Sequence, residues 1–323
     1  MLKIGLVGLG GMGTVHYSNY AVMEGVELVA ATGTSDKDRE KAKKWGIPLY
    51  KSLSQMLEEE ELDLVDICTP TFLHKEHVMA ALERSLPVIC EKPLALKVED
   101  AKEMFEKAQE KGVHIYVGQV VRFFKEYQAL SKVIQSGEYG KVLDAQFLRL
   151  SARPRWNQGG WMFEKDKSGQ LPFDLHIHDL DYIVSVFGKP ERFSFSSAGN
   201  KDQDFKEHYR FNYDFGDFHV SAEAAWYNAD YPWTAEYRIY FENAVMESKN
   251  GRVVAYQFDK EARVFDTEEE LKIPTGINVP PTGVYFEELS HFIDCIKANK
   301  PSDIITKDQV IIVLETLNEI VKE

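Results

Sequence analysis

Residues 174–181 read Asp-Leu-His-Ile-His-Asp-Leu-Asp, the densest run of titratable side chains in a chain of 323 residues. On a helix, Asp174 and His178 stand four apart and share a face. A carboxylate beside an imidazole holds the ring in one orientation and favours its charged form. That suits a general acid or base near neutral pH, such as the group that takes the hydroxyl proton when an alcohol loses hydride. Asp181, three residues beyond His178, can support it. The competing readings are a metal site and a plain polar helix end ahead of the apolar run Tyr182–Phe187. On a helix, residues two apart point about 200° from each other, so His176 and His178 converge on a metal only if the segment is a strand. The helical reading carries no metal site.

A second candidate is Lys92, in Glu91-Lys92-Pro93 directly after the apolar stretch Pro87–Cys90. Pro93 stiffens the turn that carries it. The stretch Ser151–Leu171 has no clear period and holds Arg153, Arg155, Trp156, Trp161, Gly159-Gly160 and Lys165. Connections of that length are usually binding loops or lids. Indole faces suit the apolar faces of sugar rings, and arginines suit hydroxyl or carboxylate groups. Packing of Trp156 and Trp161 against the domain is the equal alternative.

These side chains need a scaffold. Ile4–Val7 reads as a short strand running into Gly8-x-Gly10-x-x-Gly13, with a helix from Thr14 to about Glu24. Gly8 allows the tight turn, Gly10 lets a pyrophosphate approach the backbone, and Gly13 lets helix and sheet close up. The helix N-terminus offers free N–H groups to the phosphates. A glycine-rich turn without special function is the alternative. To residue 118, strands at Glu27–Thr32, Leu64–Cys68, Pro87–Cys90 and Val113–Val117 alternate with helices at Asp36–Trp45, Ser52 to about Glu60, His74–Arg84 and Val98–Lys111. This rhythm predicts a doubly wound parallel sheet. Ligands bind beyond the carboxyl ends of such strands. The glycine turn, Thr69-Pro70-Thr71 and Glu91-Lys92-Pro93 all fall there. At the ribose position, Asp36 suits NAD, whereas Thr34, Ser35 and Lys37 suit the 2′-phosphate of NADP; Asp36 as a mere helix-start acid is equally open.

The second half changes character. A helix near Lys125–Gln135 precedes strand-like alternation: Phe218, Val220, Ala222, Ala224 and Trp226 share one face, and Tyr237, Ile239 and Phe241 repeat the pattern. An antiparallel sheet with two unlike faces follows. Helices at about Val284–Ala298 and Lys307–Val321 close the chain. The expected domains are 1–120 and 121–323.

Composition excludes several partners. With 52 acids against 38 bases, net charge is −14, and no basic cluster suits nucleic acid or an anionic membrane. Cys68, Cys90 and Cys295 are an odd number, two of them in apolar runs, which suits buried thiols in a reducing compartment. The N-terminal run is broken by glycines and does not read as a signal peptide, and no stretch approaches about 18 apolar residues. A cytoplasmic location is expected.

With Lys3–Gly13, Cys68-Thr-Pro-Thr-Phe-Leu-His74, Glu91-Lys-Pro93 and Asp174-x-x-x-His178-x-x-Asp181 in view, the chain resembles the glucose–fructose oxidoreductase / inositol dehydrogenase (Gfo/Idh/MocA) family. The resemblance is strong in the first half and thinner after about residue 200. It implies an α/β fold: a Rossmann domain, then a substrate-binding and oligomerisation domain with a large open, mostly antiparallel sheet, assembled as a homo-oligomer (dimer or tetramer). It implies Lys92, Asp174 and His178 as the catalytic set. Lys92 would bond the reacting hydroxyl, His178 would exchange the proton, and Asp174 would orient it. It further implies cofactor contacts at Gly8, Gly10, Gly11, Met12, Gly13, Thr34, Ser35, Thr69, Pro70, His74, Glu91 and Lys92, and substrate contacts at Gln119, Arg122, Trp156 and Trp161. The sequence departs from the family around Gly33–Ser35, where an apparent insertion leaves NAD against NADP open, and at Gln119, often His in similar members. The expected function is an NAD(P)-dependent oxidoreductase acting on a sugar, inositol or related polyol. A catalytically silent cofactor-binding sensor of the same fold is the alternative, and intact Lys92, Asp174 and His178 argue against it. A metal-dependent hydrolase built on the histidine cluster is the third reading.

Overall fold

The computed structural model describes residues 1–155, 158–277 and 280–322. They form two compact units, Met1–Val120 with Glu269–Ile311 and Val121–Glu268 with Ile312–Glu323.

In the first unit, β1 (Leu2–Val7), α1 (Gly11–Tyr20), β2 (Val26–Thr32), α2 (Asp36–Trp45), β3 (Leu49–Tyr50), α3 (Leu53–Glu59), β4 (Leu64–Ile67), α4 (His74–Glu83), β5 (Val88–Glu91), α5 (Val98–Lys111) and β6 (Ile115–Gly118) follow in turn. The sheet is parallel with order β3-β2-β1-β4-β5-β6. Strands β4, β5 and β6 are buried along their whole length, as central parallel strands covered on both faces must be. The bounds of α2 match the expectation because both ends carry signals. The Ser35 hydroxyl accepts from the Asp38 N–H, the Asp38 carboxylate accepts from the Ser35 N–H, and left-handed Gly46 ends the helix. Tyr17 of α1 stacks on Trp45 of α2 at 3.9 Å. Helix α1 begins and ends earlier than expected. Gly10 is extended and caps it, so Gly13 lies inside the first turn, and tightened bonds at Val22 and Met23 close it.

The second unit holds α6 (Lys125–Ser136), β7 (Val142–Ala152), α7 (Lys165–Ser168), α8 (Ile177–Phe187), β8 (Arg192–Ala198), β9 (His208–Asp214), β10 (His219–Tyr227), β11 (Thr234–Phe241), β12 (Val245–Lys249), β13 (Arg252–Tyr256) and β14 (Arg263–Phe265). Its eight-stranded sheet has order β14-β13-β12-β11-β7-β10-β9-β8, antiparallel except between β7 and β10. Phe211, Ala222, Phe147 and Tyr237 pair in one row across four strands, and all are buried. Tyr182 of α8 packs over that row against Phe147 and Tyr127, which fixes the helix that follows Asp174.

The last helices are α9 (Val284–Lys297) and α10 (Lys307–Ile320). Residues 269–311, placed with the second domain on sequence, pack with the first unit: α9 lies against α1, and the Tyr116 hydroxyl donates to Lys300 O at 2.7 Å. The buried stripe Leu289, Phe292 and Ile293 announces that α9 has a covered face, but periodicity is silent on what covers it. No helix among the described residues is long and apolar enough to cross a membrane.

Candidate functional site

The glycine turn does what its spacing requires. Gly8 sits at φ +96°, where a Cβ would press on Cys68 O at 3.0 Å. A Cβ on Gly13 would lie 2.0 Å from Gly8 O, so helix and turn touch backbone to backbone. A Cβ on Gly10 would meet nothing within 4 Å. The open space therefore lies at Gly10, at the start of a ten-residue helix with no acid in its first turn. That combination fits a dinucleotide pyrophosphate. Lys41 reaches under the turn and donates to Leu9 O and Thr14 Oγ1, both at 2.7 Å; burial lowers its pKa. Met12 is partly buried on the core of Leu6, Leu9, Ala31, Ala42 and Cys68.

The loop between β2 and α2 exposes Thr34 and Ser35. Their backbone N–H groups donate to Asp38 Oδ2, at 3.1 and 2.9 Å. Asp36 pairs with Arg39 on the first turn of α2, the plain helix-start role.

Thr69 and Pro70, half-buried, follow β4. His74, expected at the cofactor, is 1% exposed. Its ring nitrogens lie 2.8 Å from Thr69 O and from Pro93 O. Its contribution is to hold those two turns together. Glu91 closes β5 and is nearly buried; its Oε2 accepts from the Lys92 N–H at 3.1 Å. Lys92 itself is half-buried and precedes Pro93 through a cis peptide. Gln119 is buried, and its Oε1 has no hydrogen-bond partner among the described residues.

Beneath these turns lies a network that the motifs did not reveal. His16 of α1 is fully buried, with Nδ1 2.7 Å from Asp66 Oδ2 and Nε2 3.2 Å from Glu91 Oε1. The Tyr20 hydroxyl donates to Asp66 Oδ2 at 2.7 Å, and the Cys68 thiol donates to Asp66 Oδ1 at 3.6 Å. His16, Asp66 and Cys68 gather donor atoms within 4.8 Å. The His16–Asp66 separation is nevertheless a hydrogen bond, shorter than the about 3.3 Å between neighbouring ligands of a tetrahedral metal. The legible signal was Asp66, a charge inside the otherwise apolar strand Leu64-Val65-Asp66-Ile67.

In the second unit, residues Pro172–His176 form a π-helical turn leading into α8. Such turns recur at functional sites. From Leu171 to Asp181, only Asp174 and His178 are half-exposed; every residue between and around them is buried. The other titratable groups of the cluster face inward. His176 stacks on Phe211 at 3.7 Å and its Nε2 lies 2.6 Å from the Tyr213 hydroxyl. Burial, with Arg149 nearby, pushes its pKa down to about 3, so it is a neutral core histidine. Asp179 bonds Arg149 at 2.6 Å. Asp181, expected to back His178, gives both oxygens to Arg122, which donates from Nε at 2.7 Å and Nη2 at 2.6 Å. Arg122, expected at the substrate, is correspondingly buried. Burial raises the pKa of both aspartates, and the arginines oppose it. In the long connection, Gln158–Phe163 forms short 3₁₀ turns ahead of α7, and Trp161 is half-buried. Trp156 lies outside the described residues.

Comparison with known proteins gives family matches over most of the chain. The profile of the Gfo/Idh/MocA oxidoreductase family, NAD-binding Rossmann fold, matches residues 2–119, and that of the Gfo/Idh/MocA C-terminal domain matches residues 127–247. Myo-inositol 2-dehydrogenase of Thermotoga maritima is 30% identical over 58% of this chain and 55% of its own. D-glucoside 3-dehydrogenase of Escherichia coli is 32% identical over 58% of this chain and 55% of its own. The chain spans about half the length of the curated relatives it matches. Levoglucosan dehydrogenase, solved with NADH and levoglucosan, shares the fold with a TM-score of 0.85 at 19% identity, over 99% of this chain and 96% of its own.

Proposed function

The chain belongs to the Gfo/Idh/MocA oxidoreductase family, and on that footing we propose that it transfers hydride between NAD or NADP and a CH–OH or C=O carbon of a sugar, inositol or related polyol. One observation carries the reading: a carboxylate and an imidazole four residues apart are the only half-exposed side chains in an otherwise buried turn. A structural helix end has no reason to open just that pair. The nicotinamide, when bound, supplies or takes the hydride. His178 exchanges the hydroxyl proton, Asp174 orients its ring, and Lys92 donates a hydrogen bond to the reacting oxygen. The backbone of Gly8–Gly13 and the start of α1 hold the pyrophosphate, with Thr34 and Ser35 toward the ribose and Thr69, Pro70 and Glu91 shaping the turns beyond β4 and β5. Gln119 and Trp161 serve the substrate side. The inositol and glucoside dehydrogenases among the relatives support the polyol class.

The test is absorbance at the reduced-nicotinamide band against a panel of sugars, inositols and keto-sugars, with NAD and with NADP. Lys92→Ala and His178→Ala should each lower kcat about 100-fold or more while leaving cofactor affinity near that of the parent. Full turnover in either variant would overturn the assigned roles. The protein is further proposed to act as a homo-oligomer in the cytoplasm, where its three buried, free thiols stay reduced.

A further inference from the structure

We propose that His16 is a positioning residue, held as an imidazolium that donates to Asp66 and Glu91 at once, and that its hydrogen bond to Glu91 sets the stance of Lys92. The inference rests on the reading of Lys92 as a catalytic group. Both ring nitrogens of His16 face carboxylate oxygens, at 2.7 and 3.2 Å. A neutral imidazole has one N–H and one lone pair, so in this place it would aim a lone pair at a carboxylate. Between two ionised carboxylates, only the doubly protonated ring satisfies both contacts; the Cys68 thiol also lies 3.4 Å from Nδ1. Glu91 relays the effect: one oxygen takes His16 and the other takes the Lys92 N–H. A single buried ring thereby ties α1, the strand β4 and the end of β5, the three elements whose ends shape the cofactor crevice. Of the five contacts that Asp66 and Glu91 make in the relay, three come from groups that carry no charge of their own or lie in the backbone, and the other two come from the single ring of His16.

Charge on His16 is opposed by burial and favoured by Asp66 and Cys68, and the balance holds its pKa well above the ordinary histidine value. The groups that face it are Tyr20 on α1, Asp66 and Cys68 at β4, Cys90 and Glu91 on β5, and Tyr285 and Glu288 on α9. Burial pushes Tyr20, Cys68, Cys90 and Tyr285 upward, so these neighbours favour their uncharged forms. For a raised histidine pKa, the stabilisation is complete below the unfolded value of about 6.5 and fades as pH rises through the folded value. Turnover should therefore carry an alkaline limb that belongs to His16.

Two substitutions separate the two contacts. The amide nitrogen of Asn falls near imidazole Nδ1 and that of Gln near Nε2, so His16→Asn keeps the Asp66 contact and His16→Gln keeps the Glu91 contact. With whichever of myo-inositol, glucose and glucose 6-phosphate gives turnover, His16→Asn should lower kcat about 100-fold, the scale of a small misplacement of a reacting group, and His16→Gln by less than about tenfold. The alkaline limb should vanish in His16→Gln, whose amide does not titrate. Equal losses in the two variants, or an alkaline limb unchanged in His16→Gln, would overturn the proposal. Nitrogen-15 NMR of the full-length parent at pH 8 gives a readout independent of turnover: both ring nitrogens of His16 should carry protons, and one bare nitrogen would overturn it. Lys92→Ala run alongside distinguishes the failures, since full turnover there removes the role of Lys92 itself whatever the charge of His16.

Discussion

Gly10 and Gly13 lie three residues apart and answer to different demands. At Gly13 the neighbouring backbone leaves no room for a side chain, so the constraint belongs to the fold. At Gly10 the room is there and the protein has no structural use for it. Gly13→Ala should destabilise the first unit by about 1–3 kcal/mol, the cost of overpacking against backbone that cannot yield. Gly10→Val should unfold at nearly the parental temperature and fail to bind NAD or NADP. Thermal unfolding and titration calorimetry on the two variants read these outcomes apart. Undiminished cofactor binding by Gly10→Val would remove the phosphate turn from the site.

At the scale of elements, the start of α8 is held by charge as well as by packing. Arg122, just ahead of α6, closes on Asp181 of α8 with two hydrogen bonds in a buried setting. Removing one partner strands the other without compensation, so Arg122→Ala should cost about 3–5 kcal/mol. Arg122→Met with Asp181→Leu should recover most of that loss, because a well-packed apolar pair needs no compensation. If the double variant also regains turnover, Arg122 serves the helix; if stability returns without turnover, it serves the substrate. Both positions were legible in sequence as candidates, Asp181 for His178 and Arg122 for a ligand, and their mutual pairing was not. Sequence spacing reports which residues share one helix; it carries no information on a partner 59 positions away. The same limit explains the rest. The bounds of α2 were readable because Ser35, Asp38 and Gly46 are local signals, and the alternation of β10 because its two faces differ. The π-helical turn at Pro172–His176, the return of residues 269–311 to the first unit and the His16–Asp66–Glu91 network all depend on contacts made across the fold. Of these only Asp66, a lone charge in a buried strand, left a mark in the sequence.

For the molecule as a whole, the eight-stranded sheet presents a question of cover. One face is filled by the row Phe211, Ala222, Phe147 and Tyr237. On the other, Asp144, Tyr240, Val245 and Tyr256 pair in register across β7, β11, β12 and β13. Tyr240 and Tyr256 there are 50% and 44% exposed. Two large rings in one row, flanking Val245 on the face opposite the filled one, are costly to leave in water and well suited to a second copy, where aromatic residues are enriched at interfaces. The charge of −14 works against that association. Like charges on two copies repel over about 8–10 Å at moderate salt, whereas burial of aromatic surface is indifferent to screening. Association should therefore tighten as salt rises, the reverse of an interface held by ion pairs. Sedimentation at micromolar concentration should show a dimer or tetramer whose dissociation is suppressed by added sodium chloride. Tyr240→Asp combined with Tyr256→Asp should yield monomers that still bind the cofactor, because neither residue belongs to the unit that carries the glycine turn. A monomeric parent, or an oligomer loosened by salt, would assign this face to something other than a second copy of the chain.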